Sequence, residues 1–270
     1  MNRIDQTFRT LSAARRKALV GYFTAGDPDF DTSLQILLAA CAAGVDVLEI
    51  GVPFSDPTCD GPTIQSASAR ALKSGMSLSD SIRLAAEVRA ATTTPIVLFS
   101  YYNPLFKYGL QRVADAVSAA GVDGMLVVDL PPEEAGPLSD AIRDKAIHLI
   151  RLAAPTTTPE RIRKLVDGAG GFLYLITRLG VTGTGGLDYD AIAQQAAAVK
   201  AVTPLPVCLG FGISTGEDAR ALAPLADGLI VGSAFVRLIG EAPPGADLPG
   251  RIADKVRELR IGMDASPKCR

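Results

Sequence analysis

The sequence predicts one α/β domain over residues 1–270, a (β/α)8 TIM barrel with an extra N-terminal helix. Three observations predict it. Eight short apolar runs recur along the chain, helical patterns separate them, and 270 residues suit one closed barrel.

The extra helix comes first, over Asn2–Arg16. The apolar runs then begin near Ala18, Asp46, Pro95, Gly124, Ile147, Phe172, Leu205 and Gly228. Their lengths are those of strands buried on both faces. Between them lie TSLQILLAACAAG (32–44), LQRVADAVSAAG (110–121), EEAGPLSDAIRDKA (133–146), PERIRKLVDGAG (159–170) and YDAIAQQAAAVKAV (189–202), each with helical periodicity. Several stop at a glycine, as at Gly44 and Gly121. Strand alternating with helix implies right-handed parallel βαβ units. Eight units close into a barrel; an open doubly wound sheet is the alternative that the pattern alone leaves open. Leu248–Met263 reads as the last helix, and GEAPPGADLPG (240–250) as a loop rather than a domain boundary.

Composition narrows the function. The chain is 48% apolar and 21% charged, an ordinary globular balance. Its 27 basic and 29 acidic residues leave a net charge of −2, with no basic field for nucleic acid or anionic lipid. The first residues lack the apolar core of a secretory signal, and no run is long and apolar enough to span a membrane, so a cytoplasmic protein is expected. Cys41, Cys59, Cys208 and Cys269 form no metal-ligand spacing.

In such barrels the chemistry sits at the carboxyl ends of the strands. LEIGVPFSDPTCDGP (48–62) is the most informative stretch. Alternation puts Val47 and Glu49 on one face and Leu48 and Ile50 on the other. Glu49 then points into the barrel, where desolvation raises its pKa and suits it to proton transfer. The alternative is a structural ion pair; only Arg151 and Arg178 lie at similar depth. Asp60, in CDG, reads by itself more readily as a loop cap than as a catalyst. Pro53, Pro57 and Pro62 stiffen its loop.

LGFGIST (209–215) and GLIVGSAF (228–235) place Gly210, Gly212, Gly232 and Ser233 at strand ends before helix starts. Such amides and a helix dipole suit a phosphate, although many βα turns need glycine for their backbone angles alone. TRLGVTGTGGLDYD (177–190) has four glycines and reads as a lid, or as a merely floppy loop. His148, the only histidine, lies at the amino end of strand five and reads as structural.

LEIGVPFSDP with DGPTIQ, YYNP, YLITRLGVTG, GFGIS and VGSA together resemble the tryptophan synthase alpha subunit family, over nearly the whole chain from TAGDP (24–28) onward. The resemblance implies retro-aldol cleavage of indole-3-glycerol phosphate to indole and glyceraldehyde 3-phosphate. It implies Glu49 as the acid/base, and it turns Asp60 from a loop cap into the partner of the indole nitrogen. Tyr22 and Tyr174 become substrate contacts, Gly183, Gly210, Gly212, Gly232 and Ser233 phosphate contacts, and Thr182 with Arg178 part of the lid. No cofactor is implied for this chain; pyridoxal phosphate is expected only in a beta subunit. That beta subunit is the implied partner in an αββα heterotetramer, through FSDPT and YYNPLFKYG. The chain departs from the family pattern at Gly21, Cys59, Phe172 and Thr184–Gly186.

Overall fold

A computed structural model describes residues 2–176, 188–210 and 212–265. Its strands are β1 (Ala18–Thr24), β2 (Val47–Gly51), β3 (Ile96–Ser100), β4 (Gly124–Val127), β5 (His148–Ala153), β6 (Leu173–Ile176), β7 (Val207–Gly210) and β8 (Gly228–Val231). Each pairs in parallel with its neighbours in the chain, and β8 pairs with β1, so the sheet closes. The closed barrel disposes of the open-sheet alternative. Every strand begins within two residues of its apolar run.

The helices up to the third strand are α1 (Arg3–Ala13), α2 (Phe30–Ala43), α3 (Pro62–Lys73) and α4 (Leu78–Ala91). Then come α5 (Tyr102–Tyr108), α6 (Leu110–Ala119), α7 (Gly136–Ile142), α8 (Pro159–Val166) and α9 (Tyr189–Lys200). The last are α10 (Gly216–Leu222), α11 (Ser233–Gly240) and α12 (Leu248–Asp264). Among the described residues no helix is long and apolar enough to cross a membrane.

One helix expectation is corrected. EEAGPLSDAIRDKA is not continuous: a 3₁₀ turn over Pro132–Glu134 precedes α7. Pro137 has no N–H to donate to a preceding turn, so it belongs in the first turn of a new helix.

Helix α1 closes the amino-terminal mouth. Asn2 caps it, accepting from the Ile4 N–H at 2.8 Å and donating to the carbonyls of Asp123 and Ala146 at 2.7 Å. Its Ile4, Phe8 and Leu11 stripe packs with the inward residues Val20, Val47, Val97, Ile150 and Phe172. The Phe8 and Phe172 ring centroids lie 5.7 Å apart. Phe172 therefore sits at the base of the barrel, away from the catalytic rim. His148 is structural there, with Nε2 3.0 Å from the Asp5 carboxylate of α1.

Three aspartates pin the strand starts. Asp46, Asp123 and Asp227 accept from the N–H groups of Leu19, Ile96 and Val207 at 2.8, 2.9 and 3.0 Å. Each immediately precedes its own strand and bonds the start of the strand beside it. These bonds hold the register that decides which side chains meet at the opposite end.

Candidate active site

Register decides Glu49. Leu48 and Ile50 pack outward among the helices, whereas Val47 lies in the inner cluster. Glu49 shares that inner face one layer nearer the carboxyl rim. It is fully buried, and neither carboxylate oxygen has a hydrogen-bond partner among the described residues. The ion-pair alternative fails for Arg151, which alternates outward between the inward Ile150 and Leu152. A lone buried charge is unfavourable, so burial pushes the Glu49 pKa up to about 8.

Two tyrosines flank it. Tyr22 is directly beside Glu49 in the β1–β2 register and meets Phe99 edge-on at 5.2 Å. Tyr174 is on the inward face of β6. Burial raises both phenols, and the charges of Glu49 and Asp60 push the same way. Glycines make room for these rings. A Cβ on Gly51 would lie 2.2 Å from the Tyr22 Oη, and one on Gly210 would lie 2.5 Å from the Tyr174 ring. A Cβ on Gly232 would crowd the Tyr22 Cβ at 3.2 Å.

Asp60 reaches the same cavity from the loop after β2. Gly61 and Pro62 start α3 immediately after it. Burial raises the Asp60 pKa to about 6, opposed by a hydrogen bond from Tyr101. The Tyr101 oxygen in turn accepts from the Cys59 N–H at 2.9 Å. Tyr101 is a site residue that the sequence reading missed, having placed YYNP on a partner surface. Its signal was parity: Val97, Phe99 and Tyr101 alternate onto the inward face of β3 and its extension. The Phe54 ring packs on Tyr101 at 5.0 Å, so two of the loops expected to meet a partner also support Asp60.

The glycine loops divide. The N–H groups of Ser214 and Thr215 donate to Asp218 at 3.0 Å, and Thr215 caps the Asp218 N–H, so the start of α10 is already satisfied. The start of α11 has Gly232 at its cap and no capping side chain. Its first amides are open to a ligand, with the positive end of the helix dipole behind them. Gly212 has φ +78°, which suits glycine, and it lines the cavity with Gly232 and Ser233. Gly210, at the end of β7, lies beneath the Tyr174 ring. Thr182, Gly183 and Arg178 lie outside the described residues.

The cavity holds about 390 Å³. Its inner wall is Tyr22, Glu49, Phe99, Leu152 and Tyr174; Asp60 stands on one side and the start of α11 on another. An apolar slot with two carboxyls suits a flat aromatic group, and the open helix start suits an anion.

Fold and site together define a (β/α)8-barrel enzyme equipped for acid–base chemistry at its carboxyl rim. The Tryptophan synthase alpha chain family model matches residues 8–261. The tryptophan synthase alpha chain of Desulfosudis oleivorans is 50% identical over 260 residues, covering 96% of this chain and 98% of that one. That of Halorhodospira halophila is 48% identical over 265 residues, covering 98% and 97%. The crystal structure of tryptophan synthase subunit alpha from Legionella pneumophila superposes with a TM-score of 0.91 at 36% identity, covering 98% of this chain and 99% of that one. A chain of tryptophan synthase from M. tuberculosis superposes with a TM-score of 0.87 at 33% identity, covering 97% and 100%. The chain belongs to the tryptophan synthase alpha chain family. Its activity is accordingly that of a carbon–carbon lyase acting on indole-3-glycerol phosphate in tryptophan biosynthesis.

Proposed function

We propose that Glu49 and Asp60 carry out this retro-aldol cleavage in the cavity between β1, β2, β6 and α11. The observation that supports it most is the buried Glu49 carboxyl, which has no partner among the described residues. Such a group is free to exchange protons with a substrate.

Glu49 enters protonated and delivers its proton to C3 of the indole ring. Positive charge develops at the ring nitrogen, where the ionised Asp60 stabilises it. Glu49, now a carboxylate, takes the proton of the adjacent glycerol hydroxyl. The C–C bond breaks, its electrons return to the indole, and the former alcohol carbon becomes the aldehyde of glyceraldehyde 3-phosphate. Two carboxyls with pKa values raised to different levels divide the two roles. Tyr22 and Tyr174 flank the aromatic group, and Gly212, Gly232 and Ser233 hold the phosphate. Thr182, Gly183 and Gly210 complete the proposed contacts.

These steps use no cofactor in this chain. The partner is a beta subunit in an αββα assembly, where pyridoxal phosphate serves the joining of indole to serine. Phe106 on α5 is 63% exposed, its ring tilted against that of Tyr102 with centroids 6.0 Å apart, which fits a surface covered by another chain.

The test is indole release from indole-3-glycerol phosphate by the purified chain and by Glu49→Gln, each with and without a beta subunit. The wild type should release indole and the variant should not. Indole release by Glu49→Gln at the wild-type rate would remove Glu49 from the mechanism.

A further inference from the structure

Arg237 was not singled out in the sequence, and neither fold nor mechanism uses it. It lies on α11, four residues after Ser233, on the same helix face. Helix side chains lean toward the amino end, so this one leans toward the open start of α11. It lines the cavity with Gly232 and Ser233 and is the one cation lining it among the described residues. The charged groups otherwise lining it are Glu49 and Asp60. The exposed Arg237 guanidinium makes no hydrogen bond or ion pair among the described residues, whereas the neighbouring Arg70 is bound to Asp27 at 2.7 Å.

A phosphate ester carries between one and two negative charges near neutrality. Bringing it into a cavity that already holds Asp60 is opposed by like charge. The open amides and the partial charge at the start of α11 offset only part of that. We propose that Arg237 supplies the counter-charge for the substrate's phosphate and makes this site select a dianionic substrate over its dephosphorylated counterpart. The proposal rests on the reading of the cavity as the indole-3-glycerol phosphate site. The phosphate does not change charge during the reaction, so Arg237 acts on binding rather than on the chemical step.

The experiment compares wild type, Arg237→Gln and Arg237→Lys. Direct binding of glycerol phosphate is measured by calorimetry beside binding of indolepropanol, a neutral indole probe. Arg237→Gln should raise the glycerol phosphate Kd by about 10- to 100-fold, the range for one charge-assisted hydrogen bond. Arg237→Lys, which keeps a point charge, should lose less. Indolepropanol binding should stay the same. In turnover, KM for indole-3-glycerol phosphate should rise while kcat changes little. An unchanged glycerol phosphate Kd in Arg237→Gln overturns the proposal. So does an equal loss of indolepropanol binding, which reports a disturbed pocket rather than a lost charge. If the wild type releases no indole but the charge-dependent binding holds, the lyase mechanism fails and the role of Arg237 stands.

Discussion

At the scale of residues, two carboxyls with differently raised pKa values set a pH window. Asp60 must be ionised to stabilise the indole nitrogen, and Glu49 must be protonated to deliver its proton. With pKa values of about 6 and about 8, both conditions hold between those limits. The profile of kcat/KM should rise through the lower value and fall through the upper one. Asp60→Asn should abolish the acid limb along with most activity. Tyr101→Phe removes a hydrogen bond that holds Asp60 down, so it should move the acid limb to higher pH; a profile that stays in place would exclude Tyr101 from setting it. Glu49→Gln should reduce kcat by roughly 10²- to 10⁴-fold. It should also change stability in a defined direction. The folded pKa of Glu49 lies above its ordinary value of 4.5, so between that value and about 8 the folded state holds more protons than the unfolded state. Stability contributed by the protonated group is complete below 4.5 and is lost as pH rises toward 8. Glu49→Gln removes that loss. Urea titrations should show the variant gaining on wild type by roughly a few kcal/mol between pH 4.5 and pH 8.5. A pH-independent difference would contradict the raised pKa.

At the scale of elements, the strands present rings to the cavity and glycines make room for them. Gly210 on β7 faces the Tyr174 ring of β6, with 2.5 Å between the ring and any added Cβ. Gly210→Ala should cost about 1–3 kcal/mol through overpacking. In a Tyr174→Ala background the same change should be nearly neutral, a coupling that a double-mutant cycle reads directly. Additive effects would mean that the ring is not what requires glycine. The opposite mouth behaves differently. Phe8 of α1 is buried against Phe172 at the base, so Phe8→Ala should cost about 3–4 kcal/mol in chemical denaturation. Its KM and kcat should be those of wild type under conditions where it remains folded, because α1 seals the end remote from Glu49.

At the scale of the whole molecule, the loops after β2 and β3 join the candidate catalytic centre to an outward surface. Phe54 packs on Tyr101, Tyr101 bonds to Asp60, and the next residue after Tyr101 opens α5, which carries the exposed Phe106. A partner pressing on this face has a short packed route to Asp60. Displacements of about 1 Å alter rates by as much as ~10²-fold. A cognate beta subunit should therefore raise indole release by about 10- to 100-fold, equivalent to roughly 1.4–2.7 kcal/mol of barrier. Phe106→Ala should weaken the complex on gel filtration and shift the activation titration to higher beta concentrations, leaving the rate of the isolated chain as it was. A flat titration with no complex would make this chain a stand-alone lyase.

The sequence by itself determined the number of strands and the inward direction of Glu49, whereas the order of the strands in one closed sheet was decided by the pairing of β8 with β1. The first two follow from periodicity, which is written within about ten neighbouring residues and needs no distant contact. It also placed the helix-start glycines, because turn chemistry is equally local. It could not tell Asp60 from a loop cap without the family resemblance, because its loop has no period. Only the tertiary structure decided that α11 rather than α10 offers open amides, since Asp218 turns back to satisfy the α10 start. Only it showed Tyr101 reaching the Cys59 N–H 42 positions away, or Gly51 and Gly210 lying beneath rings from other strands. Those contacts depend on the register of a closed sheet. A shift of one residue in any strand turns its side chains to the other face, and that register is held by bonds such as Asp46 to Leu19 and Asp123 to Ile96, between residues 27 positions apart.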